Sequence, residues 1–427
     1  MKTSCTKNEV GFELIFEDDD VCKPSDKFSI GQRSAFVRSE NHDLSNIHPD
    51  LLALSAILIC SPFVGSRLEL SAQPSSEFIK RANGILTKYK IANSVDLSHD
   101  IEPRFESARS SPGLAFSGGV DSTAALAVMP GNTIPIFMDR PVSKGSLYNP
   151  DAAHQSCRIL RELGYNSEIV ECDLEYVRDP VGFPTDVANA VPAVILADCL
   201  GLNSISFGTV LESAYGTGHE HYRDYPKGSH WTFFGTLFSA ANLQFSLPIG
   251  GVSEVGTSII AYRSPVGMVA QSCIRGKWGE PCMHCWKCFR KSLLSIALRQ
   301  KKYDKKEIKG LLDSNEVKGK LSAIPISHEN VVAFSTSRIE ESTMGKEILA
   351  LKERVNELGK LGLLTKWYSP SKILIPEEWR FFCQEKILSY LKLMNAREEG
   401  VIENWDMDEF LISSETIESR ERLLKVI

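Results

Sequence analysis

No apolar run in the 427-residue chain approaches the ~20 residues that a helix needs to cross a bilayer. The longest, Leu51 to Cys60 (LLALSAILIC), is about half that length and is followed by Ser61-Pro62, so it reads as a core helix. The first residues, MKTSCTKNEVGFELIFEDDD, carry no apolar h-region beside a small-residue cleavage site, which predicts no secretory signal and a cytoplasmic address. Basic charge is not in excess: 48 Lys and Arg stand against 54 Asp and Glu, a net charge of -6. No global field exists to hold a phosphate backbone, which argues against general nucleic-acid binding. Repeats and low-complexity tracts are missing as well. What is present, 43% hydrophobic and 24% charged residues, is enough for a sizeable core and excludes disordered and collagen-like classes.

The organisation changes along the chain. Residues 1–110 hold short strand signals (GFELIF, SRLEL), the apolar helix and a second helix, SEFIKRANGILTKYK, ending near Ile91; they form an N-terminal accessory region without a chemical motif. From Ser111 strands and helices alternate. The strands are Leu114–Phe116, Ile134–Met138, Ser167–Glu171 and Ser204–Phe207. Helices run from Asp121, from Asp151 to Leu163 with Gly164 closing, and from Asp186 to Leu200 with Gly201 closing. Such alternation predicts an α/β fold with a parallel sheet over residues 111–298. Residues 208–251 read as loop. Residues 299–427 form a helical C-terminal region, with apolar residues at three- and four-residue spacing in EILALKERVNELGKLGLL and EEWRFFCQEKILSYLKLM. The basic stretch RQKKYDKKEIKG reads as a solvated helix face.

The first chemical signal is LAFSGGVDSTAAL, residues 114–126, in which a strand passes through Ser117-Gly118-Gly119 into a helix. Adjacent glycines let backbone approach a ligand, and the amides at the start of the helix carry the positive end of its dipole, so the turn suits pyrophosphate. Ser117 and Ser122 add hydroxyl donors. Asp121, an anion beside an anion site, makes sense as a ligand for Mg²⁺ bridging phosphate oxygens. No lysine follows the glycines, so this is not a Walker loop. A plain strand-to-helix turn with a capping Ser or Asp is the competing reading.

The second signal lies among the eleven cysteines, an odd number in a chain too large to rely on disulfides. Cys273, Cys282, Cys285 and Cys288 stand in SCIRGKWGEPCMHCWKCFRK with spacing that can close a tetrahedral Zn²⁺ site. Four thiolates leave no open position, which predicts a structural metal. Arg275, Lys277, Lys287, Arg290 and Lys291 are near enough in sequence to offset its charge. An iron-sulfur cluster, a redox dithiol and buried free thiols are the other readings, and His284 is a surface residue or a substitute ligand.

The segment Ser117 to Ser122 resembles, residue for residue, the SGGxDS motif of the PP-loop ATP pyrophosphatases, whose fold is adenine nucleotide alpha-hydrolase-like. Together with C-x8-C-x2-C-x2-C and Arg290, over about Ser111 to Leu298, the chain resembles the 7-cyano-7-deazaguanine synthase (QueC) family in a long form, similar to QueC-like proteins of bacterial anti-phage defence operons. The resemblance implies ATP-dependent adenylation of a carboxylate, 7-carboxy-7-deazaguanine, release of pyrophosphate, and transfer to an amine. The amine is ammonia, giving an amide that a second ATP dehydrates to the nitrile, or belongs to a partner protein. It also implies ATP contacts at Phe116, Ser117, Gly118, Gly119, Val120, Asp121, Ser122, Thr123, Phe137, Met138 and Gly208, with adenine near Phe116 and Phe137-Met138. Asp121, Ser117 and Ser122 carry the chemistry. Where that family has Asp-Tyr-Gly-Gln after the second strand, this chain has Met138-Asp139-Arg140-Pro141, and its Arg-Asn is here Thr185-Asp186. Glu212 and Asp139 fall where the family's ligands bind. The loop GTGHEHYRDYPKGSHW, with His219, His221 and His230, reads as a polar substrate cover rather than a metal site. A PP-loop RNA-modifying enzyme and a non-catalytic nucleotide-binding scaffold are the alternative classes.

Overall fold

A computed structural model describes residues 1–15, 28–64, 67–88, 92–93, 101–105, 110–143, 146–356 and 361–427. Eight strands form one sheet: β1 (Lys2–Cys5), β2 (Glu9–Glu13), β3 (Ser34–Arg38), β4 (Ser111–Phe116), β5 (Ile134–Asp139), β6 (Glu168–Cys172), β7 (Leu202–Ser206) and β8 (Gln244–Ser246). Their order is β1-β2-β3-β6-β5-β4-β7-β8. The run β6-β5-β4-β7-β8 is parallel, whereas β1, β2 and β3 are joined antiparallel and β3 meets β6 antiparallel. This is an α/β fold with a large mixed, mostly parallel sheet.

Burial follows pairing. β4 (SPGLAF) and β5 (IPIFMD) are buried almost throughout, as strands covered on both faces must be, while β2 (EVGFE) alternates. Leu114, Phe116 and Phe137 belong to one apolar cluster and Ala115, Ile136 and Met138 to another, because successive side chains point to opposite faces. The register sets Phe116 opposite Phe137, so β4 and β5 end together at one edge.

The helices used below are α1 (Pro49–Cys60), α2 (Ser76–Lys88), α3 (Val120–Val128), α4 (Asp151–Glu162), α5 (Ser229–Ala240), α6 (Glu254–Arg263), α7 (Trp286–Ala297), α8 (Glu329–Ser337) and α9 (Glu377–Tyr390). α1 is the expected core helix, buried from Asp50 to Cys60. Each of its leucines and isoleucines contributes roughly 1.5–3 kcal/mol of burial. The end of α2 expected near Ile91 lies outside the described residues. Gly164 and Gly201 close their helices at φ +91° and +63°.

Three readings change. The helix expected from Asp186 to Leu200 is broken into a 3-10 turn at Ala188–Ala190 and short helices at Val191–Ile195 and Ala197–Leu200. Pro192 supplies no amide hydrogen, so a helix restarts there rather than continuing. The span 208–251, expected as loop, contains α5 and β8. α5 buries Phe233, Phe234, Leu237 and Phe238 against α2, a helical period hidden among glycines and aromatics. The first 38 residues supply three strands of the main sheet. The C-terminal region is helical, and α9 returns to pack on α3 and α6, with Ile387 and Leu391 in the same cluster as Leu114.

Candidate functional site

Ser117, Gly118 and Gly119 make the whole connection from β4 to α3. Gly118 sits at φ +72°, a left-handed conformation that costs a residue with a Cβ roughly 1–2 kcal/mol. Its carbonyl accepts from the Gln271 amide at 2.6 Å. Gly119 is the extended N-cap of α3 and donates to Ser117 Oγ at 3.3 Å. The Ser117 and Ser122 hydroxyls lie 3.1 Å apart, and Ser122 Oγ donates to the Gly119 carbonyl at 3.1 Å. The two hydroxyls thus fold the turn onto itself. The first-turn amides of α3 have no helical acceptor and carry the positive dipole end. Gly208, after β7, approaches this turn closely: a Cβ there would lie 2.9 Å from the Ser122 amide nitrogen.

Beside Ser117 opens a cleft of about 210 Å³ at the carboxyl ends of β4 and β5. Phe116, Phe137 and Met138 line it, with Asn149, Asn189 and Gln271 as polar walls and Cys273 at one side. The expected adenine neighbours are therefore brought together next to the glycine turn. Asp139 stands at the rim, where its carboxylate accepts from the Tyr148 hydroxyl at 3.2 Å and lies 2.7 Å from His154 Nε2. Arg140 ion-pairs with the buried Glu175.

Beneath the turn lies an ionic cluster assembled from four helices and the segment after β7. Asp121 accepts from the Thr257 hydroxyl at 2.6 Å and faces Lys291 Nζ at 3.7 Å. Lys291 reaches Glu254 at 2.9 Å; Arg290 Nε meets the same carboxylate at 3.0 Å and His328 Nδ1 at 3.3 Å. Burial opposes a charge on Glu254, yet Lys291, then Arg290 and His328, outweigh it and hold its carboxyl well below the ordinary carboxylate range. Burial, and then the Arg290 charge, push the His328 imidazole down to about 4. Of these residues sequence motifs single out Asp121, Arg290 and Lys291 but not Glu254, Thr257 or His328. An acid opening the otherwise apolar segment EVGTSII was the available clue.

Glu212 is fully buried in the same cluster, accepting from the Glu254 amide at 3.0 Å and from Asn330 Nδ2 at 3.2 Å. Burial, then the charges of Glu254 and Asp121, push its carboxyl up from 4.5 to about 7. Between those values the folded chain holds a proton that the unfolded chain has released. The stability this group confers is therefore full below about pH 4.5 and is lost as pH rises through about 7. Glu212→Gln, a neutral isostere whose new donor the Asn330 amide can accept by turning over, is expected to gain stability relative to wild type as pH rises from 5 to 8. The shift would be several degrees in melting temperature, up to about 3 kcal/mol. Melting curves at the two pH values check it; a difference independent of pH rejects the assignment.

The four cysteines converge as their spacing predicted. The sulfurs of Cys273, Cys282, Cys285 and Cys288 all lie within 4.8 Å of one another, Cys282 and Cys288 at 3.8 Å. Backbone amides point at sulfur: Cys282 N donates to Cys273 Sγ at 3.3 Å and Cys288 N to Cys285 Sγ at 3.4 Å, the latter making Cys285 the N-cap of α7. Four sulfur ligands at this spacing could hold a metal ion such as zinc. His284 is exposed and outside the cluster.

The histidine loop is pinned rather than free. Trp405 Nε1 donates to the His219 carbonyl at 2.9 Å, Tyr222 N to the Trp405 carbonyl at 2.8 Å, and Met407 N to the Glu220 carbonyl at 2.9 Å. His230 bridges Tyr225 and Asp186, at 2.7 Å to each. His221 meets Asp406 at 3.6 Å and Asp408 at 3.4 Å, exposed partners that sequence distance had hidden.

Fold and site together define an α/β protein with a glycine turn, a cleft and a four-cysteine cluster at one sheet edge. Residues 233–406 match the model of a family of unknown function, DUF6395. That span includes the cysteines, Glu254 and Lys291 and excludes the glycine turn. No curated protein and no solved structure matches the chain. Among the described residues, no helix is long and apolar enough to cross a membrane.

Proposed function

We propose that this chain is a PP-loop, QueC-like ligase that uses ATP to adenylate a carboxylate, 7-carboxy-7-deazaguanine, and transfers the acyl group to an amine. The observation that carries the reading is the glycine turn, with left-handed Gly118, opening beside a cleft walled by Phe116, Phe137 and Met138. Such a cleft at the carboxyl ends of parallel strands is where ligands collect in α/β sheets. ATP would place its base in the cleft and its phosphates on the amides of Val120 and its neighbours.

The chemistry balances simply. A carboxylate oxygen attacks the α-phosphorus, the bond to the β-phosphate oxygen breaks, and pyrophosphate leaves. An amine nitrogen then attacks the acyl carbon, AMP leaves, and the nitrogen loses a proton. Adenylation turns a poor leaving group into a good one, and the fixed amides stabilise charge on the departing diphosphate. Mg²⁺ supplies charge neutralisation at the phosphates, and the half-exposed Asp121 is the residue to hold it. The cleft's apolar walls exclude water from a reactive acyl-adenylate. The acceptor is ammonia or an amine of a partner protein of anti-phage defence.

The test is incubation with ATP, Mg²⁺ and 7-carboxy-7-deazaguanine, with and without proteins encoded beside it, measuring AMP, pyrophosphate and modified products by mass spectrometry. AMP formation is expected to depend on the carboxylate and to fall by about 10²-fold or more in Asp121→Ala. Full turnover in that variant removes Asp121 from the chemistry; no AMP with any carboxylate rejects the ligase reading.

A further inference from the structure

Three basic residues crowd the first two turns of α7: Lys287, Arg290 and Lys291. Cations at a helix N-terminus oppose the macrodipole, so the placement is unfavourable unless something anionic offsets it. Two offsets are at hand, the Glu254 carboxylate and, once it holds a metal, the cysteine cluster that caps α7. Arg290 is buried and committed to Glu254. Lys291 is different. Its side chain is 13% exposed; its Nζ meets Glu254 at 2.9 Å, while Asp121 at 3.7 Å lies beyond hydrogen-bond reach. An ammonium has three donors, and with Glu254 taking one the others are left over in a largely buried place, which is costly. Lys287, one turn earlier, is exposed and stands in the field of Asp121.

We propose that Lys291 is a phosphate ligand: it grips the β- and γ-phosphates of the nucleotide, and the cysteine cluster positions α7 so that it can. The inference rests on the proposed nucleotide site but not on the ligase chemistry. When Asp121 turns to a metal ion, Lys291 loses one of its two counterions beside the first turn of α3, where phosphate would bind. Glu254 keeps the lysine fixed through the exchange, since Thr257 and Lys291 tie α6 and α7 to the first turn of α3. A cation so prefixed loses little entropy on binding phosphate.

The experiment measures equilibrium binding of Mg-ATP, pyrophosphate and AMP to wild type, Lys291→Gln and Lys291→Arg. Lys291→Gln is expected to weaken ATP and pyrophosphate by about 10- to 100-fold, the loss of a charge-assisted hydrogen bond, and to leave AMP within about twofold. Lys291→Arg, which keeps the charge, is expected to restore most of the ATP affinity. Equal loss for AMP and ATP would show a merely structural role and overturn the proposal, as would wild-type ATP affinity in Lys291→Gln. If Lys291→Gln does not fold, amine modification of the wild-type chain decides: Mg-ATP is expected to shield Lys291, and equal labelling with and without it overturns the assignment. A wild-type chain that binds neither ATP nor pyrophosphate overturns both this inference and the nucleotide site. ATP binding with the expected AMP split, but no AMP formed from any carboxylate, rejects the ligase alone.

Discussion

If the four cysteines hold a metal ion, Cys288→Ser is expected to release it and to lower the melting temperature by about 5 °C, through a loss of roughly 4 kcal/mol. A serine hydroxyl is not a thiolate, so one of four converging ligands disappears and the other three are left without the ion that reconciles them. The effect reaches beyond the cluster because of where Cys288 stands. It lies in the first turn of α7 and donates its amide to Cys285 Sγ, the N-cap of that helix. The same helix carries Phe289 and Leu293, fully buried, and Arg290 and Lys291, which hold Glu254. Elemental analysis with calorimetry checks the result; a metal-free wild type would show that the cysteines are only packed thiols, and a Cys288→Ser chain that keeps stoichiometric metal and its melting point would remove Cys288 from the ligand set. Iron with visible absorbance would replace zinc by a cluster.

Gly208→Val is expected to cost about 1–3 kcal/mol and, on the proposed function, to abolish measurable nucleotide binding, although position 208 lies far along the chain from the glycine turn. A Cβ there would stand 2.9 Å from the Ser122 nitrogen, 3.1 Å from the Asp121 carbonyl carbon and 3.1 Å from Ser122 Cα. These are backbone atoms in the first turn of α3, so no rotamer change relieves the clash. The turn itself must shift, and with it the amides that would face phosphate. Gly131→Ala is the control, since a Cβ there meets nothing within 4 Å. Denaturant melts and ATP titration of both variants check this. Wild-type behaviour of Gly208→Val would mean that the turn is slack and not preorganised for an anion.

What is legible along the chain and what is not divides by sequence distance. The strand, turn and helix around Ser117–Thr123 are contiguous, and their form follows from an apolar run, two glycines and a capping pattern. The cysteines lie within sixteen positions, and thiolate spacing was enough to anticipate their convergence. α5 was missed for a local reason, because its glycine and aromatic residues obscured a helical period that packing on α2 makes plain. The ionic cluster was hidden for a different reason. Asp121 and Thr257 are separated by 136 positions, and Glu212 and Asn330 by 118.

By itself, then, the amino-acid order determined the devices that short segments build: a turn with exposed amides, a four-thiolate knuckle, a buried α1 and strands that read as parallel. Only the tertiary structure decided which charges meet, that β1 to β3 extend the sheet, and that Lys291 stands between Asp121 and Glu254. The physical reason is that hydrogen-bonded turns and burial periods depend on neighbours along the chain. Coulomb interactions and desolvation depend on distance through space, which the fold alone supplies.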